Sequence, residues 1–453
     1  MTAHMNSRRG PSGMTAFTII WLGQIISVLA TSMTAFAQSI WVFQETGSAT
    51  ALGLVQVFFI VPFLILSPVA GVMVDRYNRK LMMMLSDLVA ILPTAGLLVL
   101  SAMGRLEVWH FYVAAAFQGI GNTFQWPAYS AAITMMVPKE QLGRANGMMS
   151  LIEAGPNVIA PILAGALLPV FGLTGILGFD VITFVIAVLA LVIVFIPQPE
   201  RTVEGRAGER GFLKEAAYGF QYIFARPSLL GLQLLFFTGN LFWGIAQTLI
   251  APMILARTGN NSLVLGTVQS AGAIAAVVGG IAMSAWGGFK KRTYGVIFGW
   301  LLSSFGLILL GLGRALPIWV IAGAYMGLWT ALINGSNQAI WQAKVAPDVQ
   351  GRVFSARRLI AWFSQPISPI IAGTTADYLL EPAMRPGGAL AGTFGGLFGT
   401  GPGAGMGLLI SLMGVVTVAV ALAAYFLPVI REAETLLPDH QIRPAEPASE
   451  AAA

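Results

Sequence analysis

Along most of this chain, apolar residues do not alternate with polar ones but continue in runs of about 20 or more, separated by short polar punctuation. A helix needs about 20 apolar residues to cross the hydrocarbon core of a bilayer. Such runs fall at about 15–44, 50–74, 81–103, 109–136, 146–170 and 173–196, and again at about 228–256, 262–287, 293–313, 317–343, 354–380 and 405–430. The pattern predicts an all-α integral membrane protein with twelve transmembrane helices, spans 1 to 12, in two six-helix pseudo-repeats. Residues 1–14 form an N-terminal tail, 15–196 the first bundle, 197–227 a linker, 228–430 the second bundle and 431–453 a C-terminal tail. The linker holds nine charged residues and is punctuated by Pro197, Pro199 and Pro227. The tail from Arg431 is acidic and rich in Pro and Ala, too polar to bury a core, and is expected to be disordered.

Within the apolar runs, polar residues recur at helical spacing. Span 1 carries Gln24, Ser27, Thr31, Thr34 and Gln38 at steps of three and four, which places them on one face. Span 4 carries Asn122, Gln125, Trp126 and Tyr129, span 7 Asn240, Trp243, Gly244 and Gln247, and span 10 Asn334, Asn337, Gln338 and Trp341. Polar groups in lipid are costly and normally face a cavity or the bundle interior. These stripes are candidates for the lining of a substrate cavity, although hydrogen bonding between helices uses the same residues. Amides and aromatics with few charges suit a large amphipathic ligand better than an inorganic ion or a sugar.

The composition agrees: of 453 residues, 56% are hydrophobic and 10% charged, with a mean hydropathy of +0.77. The absence of cysteine excludes disulfides, thiolate nucleophiles and cysteine-held metals, and three scattered histidines leave little for a metal site or a Ser-His hydrolase. The net charge of +6 reports topology rather than nucleic acid. With both termini cytoplasmic, every Lys and Arg falls in an inner loop or at an inner helix end except Arg105, Arg257, Arg314 and Arg385. Span 1 is too long for a signal-peptide core, and no cleavage site follows it.

The two halves repeat. Val137, Glu140, Gly143 and Arg144 are answered 208 residues later by Val345, Asp348, Gly351 and Arg352, and Pro161, Ile162, Ala164 and Gly165 by Pro369, Ile370, Ala372 and Gly373. Gly119 and Ala131 pair with Gly327 and Ala339. LeuGlyLeuValGln at 52–56 resembles LeuGlyThrValGln at 265–269, at an offset of 213. Two parallel six-helix repeats are a sequence sign of an alternating-access transporter with its substrate site at the midplane between them.

At the junction of spans 2 and 3, Gly71-Val-Met-Val-Asp75-Arg76-Tyr-Asn-Arg79-Lys80 resembles the loop signature of the major facilitator superfamily. That resemblance implies a conformational latch made by Gly71, Asp75, Arg76, Arg79 and Lys80 against the start of span 11, near Ser355, Arg357 and Arg358. The corresponding second-half loop, GlyGlyPheLysLysArg at 287–292, has no acid, so only the first half would carry a full latch. GlnTrpProAlaTyrSer at 125–130, ArgValPheSerAlaArgArg at 352–358, AlaAspTyr at 376–378 and the glycine-rich 399–407 resemble the macrolide-efflux and enterobactin-exporter branch. The branch implies proton-coupled export of amphipathic drug, macrolide or siderophore-like molecules across a bacterial inner membrane. It implies a proton gradient as energy source; the residues themselves point to no cofactor and no nucleic-acid partner, and a single twelve-helix unit is physically sufficient, so a monomer is expected. Gly155-Pro156 and Ala160-Pro161 match the family's antiporter motif imperfectly, since Ala160 stands where glycine is common.

Proton coupling needs a carboxyl that can be buried neutral and released charged. Glu153 in span 5 is the first candidate, having no cation within three residues and no acid at the matching Ala361. Asp180 and Asp87 follow, on spans that the family places peripherally, and Asp377 lies near the outer end of span 11. The alternative within transport is a lysophospholipid or other narrow-substrate carrier not coupled through these acids. A membrane enzyme or a non-transporting sensor is a remote reading. The glycine-rich 399–407 lacks any phosphate-binding signature and is expected to form an external hinge before span 12.

Overall fold

The computed structural model describes residues 11, 13–76, 78–137, 142–195, 212–345 and 350–437. These residues are almost entirely helical, with no strand among them. The first half contains α1 (Gly13–Thr46), α2 (Ala49–Arg76), α3 (Arg79–Ala102), α4 (Val108–Met136) and one 52-residue run, Leu142–Ile193. That run doubles back at Gly172, whose φ of 64° and ψ of 179° fit a residue without a side chain, so 142–171 form α5 and 173–193 form α6. The second half contains α7 (Pro227–Arg257), α8 (Ser262–Trp286), α9 (Arg292–Leu312), α10 (Leu316–Lys344), a broken α11 and α12 (Ala404–Phe426). α11 comprises Gln350–Trp362, then Ser364–Thr375, and ends in a π-turn over Ala376–Leu380. Pro366 and Pro369 cannot donate to the carbonyls one turn before them, which accounts for an interruption in this region.

Local chemistry fixes the helix starts. Asn78 accepts the Leu81 N–H at 3.1 Å to cap α3, and Asn261 accepts the Val264 N–H at 3.1 Å to cap α8. Pro227 opens α7, where its missing N–H costs nothing. Large apolar side chains such as Leu88, Leu92 and Val99 on α3 and Ile182, Ile186 and Leu189 on α6 are exposed, as expected of surfaces that face lipid.

Packing repeats between halves. A Cβ on Gly119 would collide with the Phe59 carbonyl, which brings α4 against α2. A Cβ on Gly327 would collide with the Gly272 carbonyl, which brings α10 against α8 in the same way. These two glycines are the repeat partners at offset 208.

Three features differ from the sequence expectation. Part of the linker is a helix, Phe212–Phe224, and its end joins Ile223 to a core with Leu229, Trp341, Val345 and Val353. Residues 431–437 are packed rather than disordered: the Glu434 carboxylate accepts the Thr293 N–H at 2.9 Å at the start of α9, and Lys344 Nζ donates to the carbonyls of Glu434 and Leu437. The glycine-rich stretch is a packed elbow, not a hinge. Gly403 (φ 80°) opens α12, Glu381 accepts the N–H groups of Met406 at 2.9 Å and Gly403 at 3.3 Å, and Gly407 leaves room for the Arg257 guanidinium. The two arginines nearest this elbow serve as carbonyl clamps. Arg257 donates to the carbonyls of Gly311, Gly313 and Phe398, and Arg314 donates to Gly396 O at 2.8 Å.

Candidate functional site

The two halves meet along a seam at the end of the bundle carrying the α1–α2, α5–α6, α7–α8 and α11–α12 connections, the distal end. A Cβ on Gly53 of α2 would stand 2.7 Å from Pro369 O of α11, and a Cβ on Gly266 of α8 would collide with Pro161 O of α5. Gly53 and Gly266 are repeat partners, as are Pro161 and Pro369, so the same interlock is made twice. Ser262 Oγ donates to Gly165 O at 2.9 Å and Ser270 Oγ to Val158 O at 2.6 Å. Asp377 completes the seam. Its carboxylate accepts from Ser48 Oγ at 2.6 Å, Thr50 N at 2.8 Å and Ala49 N at 3.2 Å, and so caps α2 from the opposite half. These are the hydrogen bonds between the halves recorded among the described residues, and all lie on the distal side. The most proximal ring contact across the seam is Phe63 with Trp362, at 5.6 Å between centroids.

Proximal to the seam lie two cavities that share a wall of Ser32, Ala35 and Ser39 on α1. The larger, about 670 Å³, is lined mainly by the first half. Gln24, Thr31 and Gln38 reach it from α1, Asn122 and Gln125 from α4, and Asp87 from α3. Asp87 is 4% exposed, and its Oδ1 accepts from Gln125 Nε2 at 2.7 Å. Gln24 lies alongside the same carboxylate, yet Oδ2 has no hydrogen-bond partner of normal geometry among the described residues. The smaller cavity, about 560 Å³, has Trp243 and Gln247 of α7 and Gln269 of α8 in its wall, facing Pro156, Asn157 and Ala160 of α5. Asp87 is the one ionisable side chain among the described lining residues of either cavity.

The remaining candidates are placed elsewhere. Asp180 is 1% exposed and accepts from Thr31 Oγ1 at 2.9 Å, which ties α6 to α1 outside the cavity lining. Tyr129 is buried near Asp87, and its hydroxyl has no partner among the described residues. Asn240 is half-buried on α7 and Asn334 exposed on α10, and neither lines a cavity. Asn337 accepts from Trp341 Nε1 at 3.0 Å, and Gln338 accepts from Arg357 Nη1 at 3.0 Å, so the α10 stripe bonds within the second half. The Arg357 guanidinium stands 5.2 Å from the centre of the Trp341 ring and Arg358 5.7 Å from that of Trp362. Lys80 donates to Val192 O at 2.8 Å and Val194 O at 2.7 Å, closing the end of α6 within its own half. The side chains of Asp75, Arg76, Arg79, Trp126 and Glu153, and the surroundings of Gly71, lie outside what is described.

Gln56, Gln118, Gln269 and Gln365 also line the cavities, although the stripes did not single them out. The repeat held the signal for two of them: Gln56 and Gln269 end the paired LeuGly-x-ValGln segments, three residues beyond the seam glycines, one in each cavity.

Two six-helix halves, interlocked by twofold-related contacts around a central polar space, define a multi-pass membrane protein of the transporter class. The model of the Major Facilitator Superfamily matches residues 20–379, and the chain belongs to that family. Among curated relatives, macrolide efflux protein A of Streptococcus pyogenes is 28% identical over 369 residues, covering 80% of this chain and 89% of the relative. An enterobactin exporter of Escherichia coli is 23% identical over 345 residues, covering 75% and 80%. Among solved structures, a bacterial homologue of the human lysosomal transporter Spinster, in an inward-facing unoccupied conformation, aligns with a TM-score of 0.66 at 17% identity, covering 92% of this chain and 96% of that one. That last likeness is one of fold.

Proposed function

We propose that this protein is a proton-coupled exporter of macrolide-like amphipathic molecules, working by alternating access from a bacterial inner membrane. The observation that carries the reading is a buried carboxylate, Asp87, with one oxygen unpaired among the described residues, on the wall of an otherwise neutral cavity that the first half lines and Gln365 of the second half reaches. Positive-inside topology makes the distal end the outer face and both termini cytoplasmic, so the sealed seam corresponds to an inward-facing state.

An ionised carboxylate without a cationic partner is costly at this depth, whereas a proton on it removes the charge. Loading Asp87 from outside and unloading it inside couples proton entry to ligand exit, with no cofactor and with one chain sufficient. Of the residues advanced for coupling, Asp87 faces the cavity, while Asp180 is engaged with Thr31. No Lys, Arg or His is among the described lining residues, which favours a macrolide-like ligand over a polyanionic siderophore or a phosphate-bearing lysolipid.

The test is accumulation of radiolabelled erythromycin in cells producing the wild type or Asp87→Asn, with and without a protonophore. Lower accumulation in wild-type cells, abolished by the protonophore and by Asp87→Asn, is expected. Wild-type export that survives the protonophore, or export by Asp87→Asn at the wild-type rate, would sink proton coupling through this residue.

A further inference from the structure

A ligand can shift a two-state equilibrium only through contacts that differ between the states. A molecule held wholly within one half of a rocking transporter would travel with that half and bias nothing. The wall of the 670 Å³ cavity comes from the first half with one exception among its described lining residues, Gln365 of α11. Its side-chain amide has no protein partner among the described residues.

The surroundings of Gln365 give it purchase on the second half. It lies in the first turn after the interruption at Phe363, and Pro369, four residues on, has no N–H to offer the Gln365 carbonyl. The Gln365 main-chain oxygen therefore lacks its usual helical donor. Ser368, three residues further along, donates to Leu241 O at 3.0 Å and to Ser364 O at 3.0 Å, bolting this segment to α7. Pro369, one turn distal, is the bearing on which Gly53 rests. Force applied at Gln365 thus acts on the second half one turn from the fulcrum. The repeat places Asn157 at the matching position in α5, where it reaches the other cavity from the first half.

We infer that Gln365 is the cross-half contact by which a ligand in the first-half cavity draws the second half over it and closes the proximal side. A side-chain amide, which both donates and accepts, suits a hydroxyl group, which can accept from Nε2 while donating to an oxygen. The ligand class is an uncharged, hydroxyl-bearing face of an amphiphile, held in a cavity that Asp87 also lines. This inference rests on the transport reading above.

The chain has no cysteine, so spin labels placed by Leu81→Cys and Lys290→Cys, at the proximal ends of the two halves, report closure of the full-length protein in lipid nanodiscs. Erythromycin should shorten the inter-label distance in this background. With Gln365→Leu, erythromycin should still bind within about threefold of the parent affinity but leave the distance unchanged, and the maximal export rate should fall about tenfold. Gln365→Asn, which keeps the amide on a shorter stem, should restore part of both. A Gln365→Leu protein that closes and transports like the parent overturns the inference, as does one with an unchanged melting temperature whose binding and closure fall in proportion. A parent that neither binds nor exports erythromycin overturns the transport reading itself.

Discussion

Removing the Asp377 carboxylate should unlatch the distal seam. Asp377 caps α2 across the seam, accepting one hydroxyl and two backbone N–H groups at 2.6, 2.8 and 3.2 Å. Deleting a helix N-cap costs about 0.5–2 kcal/mol, and a negative charge near a helix N-terminus adds about 0.3–1 kcal/mol. When the seam opens, water reaches both partners, so the net loss should be about 1.5–2 kcal/mol for Asp377→Ala, a shift of roughly 10- to 30-fold toward the outward-open form. Asp377→Asn keeps one acceptor and loses the charge, and should give about half that free-energy change. Neither substitution touches the cavity or the core of either half. A single cysteine replacing Ala35, on the shared cavity wall, would be labelled by a membrane-impermeant maleimide added outside whenever the seam opens. The labelling rate should follow the series wild type, Asn, Ala. Equal rates in all three, with unchanged melting temperatures, would refute the view that this cap holds the seam closed.

Two further substitutions separate seam from scaffold. Gly266→Ala puts a methyl group against the Pro161 carbonyl between halves, and overpacking of this kind costs about 1–3 kcal/mol, so it should raise outside labelling with little change in melting temperature. Gly119→Ala creates the same collision with Phe59 inside one half, and should lower the melting temperature without raising labelling. At the distal surface, burial raises the Glu381 carboxyl above its usual 4.5. The folded form then binds the proton more tightly than the unfolded chain, so this contribution to stability is present below about pH 4.5 and is lost as the pH rises through the raised value. Melting of wild type relative to Glu381→Gln should therefore worsen from pH 4 to pH 7, and parallel curves would contradict the assignment.

Much of this architecture was readable because a bilayer imposes length and apolarity on each crossing, and because repeats that share a sequence also share contacts. The LeuGly-x-ValGln and Pro-Ile-x-Ala-Gly segments recur because each pair makes one copy of the same interlock. What helical spacing could not show is the partner of a polar face. Gln24, Asn122 and Gln247 line open space, whereas Asn337 and Gln338 at similar spacing are taken up by Trp341 and Arg357. Asp87 and Asp180 looked alike as acids on outer helices, yet one stands across from cavity amides and the other across from Thr31. Those distinctions depend on how α3 and α6 are rotated about their axes, which is set by tertiary packing. Asp377 could be placed near an outer end by counting, but its role needed α2 beside it, more than 300 residues away in sequence. The order of 431–437 was hidden because its stability comes from Thr293 and Lys344 rather than from its own composition.

The measurement that bears most directly on the central claim is exchange in proteoliposomes. Vesicles with an acidic lumen, bathed in radiolabelled erythromycin at neutral pH, should accumulate the drug beyond protein-free liposomes, which trap the weak base passively, while the lumen alkalinises as protons leave. The excess uptake and the drug-dependent alkalinisation should both vanish with Asp87→Asn and with a protonophore. Drug uptake above the protein-free control without proton movement, or proton-coupled uptake that persists in Asp87→Asn, would contradict the account.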